Sequence, residues 1–120
     1  MGAIVQTALL FLILAVAGQW HGTVSQPDCT GVDRWPSAMA YVQLKNEGLL
    51  GPDTTDFKKT RTIRIASEQT GEDLFHQVHL VTFTKLNGEV IEVITVNDAS
   101  SEECSMSAVD LFVVRKHLGA

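Results

Sequence analysis

Apolar and polar side chains alternate most clearly from Leu74 to Thr84, and again from Val90 to Val96. Both runs are rich in β-branched and aromatic residues, which suits half-buried strands. Asn87-Gly88 lies between them, and both residues tolerate the positive φ of a type I′ turn, so the two runs are predicted to pair as a hairpin. Upstream, Lys58 to Glu68 reads as another strand, with Ile63 and Ile65 on one face and Thr62 and Arg64 on the other. Its Lys and Arg density suits a sheet edge, where charge discourages pairing with other chains. Downstream, Ser105 to Arg115 reads as a fourth strand. Val109, Phe112 and Val113 also have helical spacing, but the β-prone run Leu111-Phe112-Val113-Val114 favours the strand.

One helix precedes these strands. Pro36 suits a first-turn position, Ser37 can help cap it, and Met39, Tyr41, Val42 and Leu44 supply an apolar face through Lys45. Gly48 is placed to stop it as the residue after the cap. Trp35 is expected to pack under the helix and dock it on the sheet. One helix followed by four strands with short connections is an α+β layout, with the N-terminal helix packed on a four-stranded antiparallel meander sheet.

The first 27 residues contain no Lys, Arg, Asp or Glu. Within them, Ala8 to Ala17 is a continuous apolar run, too short for the roughly 20 residues a membrane span needs and suited to the core of a signal peptide. Ala15-Val16-Ala17 offers a small-x-small cleavage pattern, and Thr23-Val24-Ser25 a second one. The n-region lacks Lys and Arg, a departure from the usual leader, and an uncleaved anchor is the alternative. Residues 1–25 are thus read as a signal peptide and 26–120 as one α+β domain, with no membrane association after cleavage. In an oxidising compartment, Cys29 and Cys104 form an even pair and are expected to make one disulfide.

Charge and side-chain chemistry narrow the function. Nine Lys and Arg against 14 Asp and Glu give a net charge of −5, which argues against nucleic acid, since binding it calls for a basic face. His76 and His79 resemble a metal pair, but strand residues three apart point to opposite faces, so no metal site is expected. A catalytic Cys104 is disfavoured because Glu102 and Glu103 beside it would raise the thiol pKa. With no G-x-S-x-G, no H-E-x-x-H and no phosphate-binding Gly loop, neither an enzyme nor a cofactor is expected. The remaining candidate is the polar loop 97–107, held on one side by Cys104. Asp98, Ser100, Ser101, Glu102, Glu103, Ser105 and Ser107 are the expected partner-binding residues; an ordinary solvated loop is the plainer alternative. Exposed edge strands also permit a homodimer.

The stretches Gln77 to Phe83 and Glu89 to Ser107 resemble a group of small exported proteobacterial proteins, the periplasmic immunity proteins of type VI secretion amidase effectors. The resemblance covers roughly the C-terminal half together with Cys29. It implies a non-catalytic protector that binds a cysteine-dependent peptidoglycan amidase in the periplasm and blocks its active-site cleft. Which loop blocks the cleft is not carried by any matching motif. The alternative is an exported binding or structural module with an unrelated partner.

Overall fold

A computed structural model describes residues 25–114. The leader expected over residues 1–25 lies, except for Ser25, outside the described residues. A helix, α1 (Trp35–Asn46), precedes four strands, β1 (Arg61–Gly71), β2 (Leu74–Thr84), β3 (Val90–Ala99) and β4 (Asp110–Val114). They form one antiparallel sheet in the order β1-β2-β3-β4, the expected α+β meander.

Helix α1 starts with proline in its first turn and ends in a Schellman motif. Gly48 takes φ +75°, its N–H donates to Lys45 O (3.0 Å), and the Leu49 N–H reaches back to Leu44 O (2.9 Å). Ser37 does not cap the helix. It is buried and shares a hydrogen bond with the Thr62 hydroxyl of β1. The expected apolar face is also shifted. Pro36, Ser37, Ala40 and Leu44 face the sheet, while Val42 is 40% exposed. Positions 36, 40 and 44 share one helix face, and their first two side chains are small enough for the helix to lie close to the strands.

Ala40, Leu44 and Leu50 pack on Val81, Phe83 and Val93, with Tyr41, Ile91 and Leu111 around them. Each large side chain fully buried there contributes about 1.5–3 kcal/mol of transfer free energy.

The central hairpin forms where expected, but its turn differs. Gly88 alone in the turn has positive φ (+91°). The Gly88 N–H donates to Lys85 O (2.9 Å), and the Lys85 N–H donates to Glu89 O (2.8 Å). Three residues, Leu86 to Gly88, therefore make the connection, with glycine at the left-handed position of a bulge. Asn87 keeps negative φ and uses its Oδ1 to accept the Glu89 N–H (2.9 Å).

Strand β1 begins later than its composition suggested, because Phe57–Lys59 makes a turn of 3-10 helix. Register shifts lie between Arg64 and Ala66 and between Gln69 and Gly71. Thr62 and Arg64 face the helix side, and Ile63 faces away, 54% exposed. Ile63, Leu80, Ile94 and Phe112 are aligned in register across all four strands on this outer face, an apolar row whose ends are exposed.

Candidate functional site: the cross-linked loop

The inner face of the sheet changes character along β2 and β3. Near the hairpin turn it presents Val81, Phe83 and Val93 to the helix. Toward the other end it presents Gln77, His79, Thr95 and Asn97, all buried. Gln77 is paired in register with Asn97, and His79 with Thr95.

Gln77 and Asn97 hold the two segments that the cysteines join. Gln77 Nε2 donates to Pro27 O (3.2 Å), which also accepts from Arg64 Nη1 (3.2 Å). Asn97 Nδ2 donates to Cys104 O (2.8 Å) and to Asp98 O (3.1 Å). The Cys29–Cys104 disulfide then closes the connection, with its Cα atoms 5.8 Å apart. The segment from Pro27 to Cys29 and the loop after β3 are thereby fixed to neighbouring strand residues as well as to each other. Among the described residues no cysteine is free. A persistent disulfide agrees with an oxidising compartment.

Most of the loop is occupied with its own architecture. Ser100 is only 7% exposed; its N–H donates to Glu103 O (2.8 Å) and its Oγ accepts the Glu103 N–H (3.1 Å). Ser101 is gripped by Asp73 in the β1–β2 turn, its N–H and Oγ donating to the two carboxylate oxygens at 2.9 Å each. Ser105 Oγ donates to Glu103 Oε1 (2.7 Å). Ser107 Oγ accepts the Asp98 N–H (2.8 Å), and its carbonyl accepts Trp35 Nε1–H (2.9 Å). That indole bond ties α1 to the loop. Asp98 lies 2.7 Å from His76 Nδ1 across the outer sheet face.

Of the expected contact residues, Ser101, Glu102 and Glu103 are exposed on the surface, close to Asp73. Asp98, Ser105 and Ser107 are half-buried, and Ser100 serves inside the turn. The loop therefore offers a short acidic rim carried on a braced turn. Asp73, Gln77 and Asn97 were not singled out from the sequence. Gln77 and Asn97 could have been, since both share strand parity with inward-facing residues.

The two histidines do point to opposite faces. His76 is exposed, whereas His79 is completely buried, and neither of its ring nitrogens has a hydrogen-bond partner among the described residues. Burial, reinforced by Arg64 and partly countered by Asp28, pushes the His79 pKa below its ordinary value. The Thr30 hydroxyl and N–H on the Asp28 carboxylate hold that group below its usual range. Among the described residues no cluster of three or more His, Cys, Asp or Glu could hold a metal ion, and no helix is long and apolar enough to cross a membrane.

The described residues thus define a small, singly cross-linked α+β domain that presents a stiffened polar loop. Compared with protein-family models, with curated proteins and with solved structures, the chain matches none.

Proposed function

We propose that this chain is an exported, non-catalytic binding protein that meets its partner with the braced loop. More specifically, it acts as an immunity protein that enters the active-site cleft of a peptidoglycan amidase effector in the periplasm. The observation that carries the binding role is the combination of fixation and exposure in one turn. Ser101 to Glu103 project to solvent while Cys104, Asp73, Asn97 and Ser100 fix the backbone beneath them. A loop ordered before contact loses little conformational entropy on binding, so more of its contact energy becomes affinity. Its carboxylates suit a cationic rim or a protonated catalytic histidine. The amidase as partner rests on the resemblance of the β2–β3 hairpin and the following loop to that immunity group.

The test titrates the disulfide-intact mature protein into cysteine-dependent peptidoglycan amidases and follows muropeptide release. Inhibition saturating near one-to-one is expected. Glu102→Arg and Glu102→Trp, at an exposed side chain that holds no other part of the loop, should each weaken it while leaving the thermal midpoint nearly unchanged. If no amidase is bound or inhibited, the immunity assignment fails.

The apolar row Ile63-Leu80-Ile94-Phe112 favours a second reading, an exported binding or structural module that uses the outer sheet face. That reading holds if Phe112→Lys abolishes partner capture and the loop variants leave it intact.

A further inference from the structure

Strand β1 lies at one edge of the sheet and pairs with β2 on one side only. Among the described residues no backbone bond reaches its other side, so alternate N–H and C=O groups along residues 61–71 face outward unpaired. Charge along this edge is sorted by position. Lys58, Lys59 and Arg61 stand at its start, and Glu68, Glu72 and Asp73 at its end, all exposed and none in an ion pair among the described residues. Between them lie Ile63, Ile65 and Ala66, with Ile63 54% and Ile65 51% exposed. Arg64, the one charge in this middle stretch, shares the inner face with His79, and its Nη1 donates to Pro27 O (3.2 Å). Like charge all along an edge would repel a second copy in any register. A basic start, an apolar middle and an acidic end attract one, provided that it runs antiparallel.

We infer that two copies of this chain pair edge to edge through β1, antiparallel about a two-fold axis, and join their sheets into one. The register that sets Arg61 opposite the second copy's Glu68 also sets Thr62 opposite Ser67 and Ile63 opposite Ala66. Within each pair both side chains lie on the same sheet face, as antiparallel pairing requires: Arg61, Ile63, Ala66 and Glu68 on the outer one, Thr62 and Ser67 on the inner one. The axis repeats every pair. The irregularity between Arg64 and Ala66 falls on that axis, so the pairing runs as two matched segments, one on either side. Beyond the strands, Lys58 and Lys59 come to the same end as the second copy's Glu72 and Asp73. Arg61 keeps donors for this contact, because only its Nη1 is engaged, by Lys58 O and Thr60 O. An edge contact of this length buries less than about 1,200 Å², which makes the dimer weak and sensitive to salt. It does not depend on the role proposed for the loop, and its test involves no amidase.

Sedimentation equilibrium of the disulfide-intact mature protein tests this. The weight-average mass should rise from one copy toward two with concentration, and high salt should shift that rise to higher concentration. Amide exchange in residues 61–68 should slow as concentration increases, whereas exchange in β4, at the other edge, should not change. Glu68→Arg and Arg61→Glu should each weaken association about ten-fold, because the axis doubles the effect of every charge reversal. Glu68 makes no side-chain bond among the described residues, so Glu68→Arg should melt with the wild type. Combining the two reversals should restore association. Within one copy the strand separates the two residues by roughly 20 Å, so that rescue can arise only between copies. A protein that stays monomeric up to millimolar concentration, or a double variant no tighter than the single ones, overturns the inference. So does a dimer lost in Phe112→Lys, which lies on the outer face at the opposite edge.

Discussion

Replacing Cys29 and Cys104 together with alanine tests the brace most directly. The two cysteines are 75 residues apart in the chain, so the bond closes most of the folded domain into one ring. In the chain-entropy treatment a ring of that size removes about 15 cal/mol/K from the unfolded chain, or about 4.5 kcal/mol at room temperature. A small domain has only about 5–15 kcal/mol of net stability, so the loss takes away a large share of it. The thermal midpoint should drop by roughly 20 °C. Urea unfolding of the oxidised protein and of the double variant, followed by far-UV circular dichroism, gives the difference directly. The urea dependence should steepen as well, because the unlinked chain exposes more surface when it unfolds. Hydrogen exchange at the amides of Glu103 and Met106, which bond within the loop and to Asp98 O, should accelerate more than exchange in α1. A loss no larger than that of an ordinary surface substitution, about 0.5 kcal/mol, would refute the brace.

Three further outcomes follow from individual side chains. The neutral form of buried His79 is favoured in the folded state, so the unfolded chain takes up this proton first as pH falls below 6.5, its ordinary value. Stability is then lost by at most about 1.4 kcal/mol per pH unit until the folded pKa is passed, and urea midpoints at mildly acidic and neutral pH should converge in His79→Leu. Gly88→Ala places a Cβ at φ +91° with nothing within 4 Å, so the cost is backbone strain alone, about 1–2 kcal/mol in a melt; no loss would mean that the turn can rearrange. Phe112→Lys changes a residue 59% exposed at the sheet edge, so stability should stay within about 0.5 kcal/mol, while binding of a hydrophobic dye falls.

The hairpin, the edge character of β1, the order of the elements and the disulfide were all legible because each has a local or compositional cause. Alternation marks β2 and β3 whatever packs on them, and an even pair of cysteines has one pairing. The helix face was harder. Met39, Tyr41 and Val42 are the larger apolar residues, yet Ala40 and Ser37 face the sheet, because close approach favours small side chains over hydrophobic ones. Ile63 and Ile65 mark a strand without saying which face is covered. A one-residue irregularity at the Arg64–Ala66 step then breaks the alternation that would have indicated it. Within the loop, composition indicated polarity and exposure but not division of labour. Ser100 accepts the Glu103 N–H inside the turn, whereas Ser101 donates to Asp73, which lies 28 residues away in sequence and is invisible to any local pattern.

The stiffness of the loop has the same origin as the polarity of the core beneath it. Under α1 the inner face is held by Val81, Phe83 and Val93, where apolar burial supplies the adhesion. At Gln77 and Asn97 the sheet meets the segment from Pro27 to Cys29 and the loop after β3. Segments without regular structure expose backbone carbonyls, so the strand positions beneath them are more useful as amide donors than as hydrocarbon. Gln77 and Asn97 fill that role, one for each cross-linked segment. Hydrogen bonds contribute only about 1 kcal/mol each, so they fix position more than they resist unfolding. The disulfide supplies the resistance that burial supplies at the other end. Reduction should therefore free the loop and the Pro27 segment while the helix-covered end of the sheet stays packed.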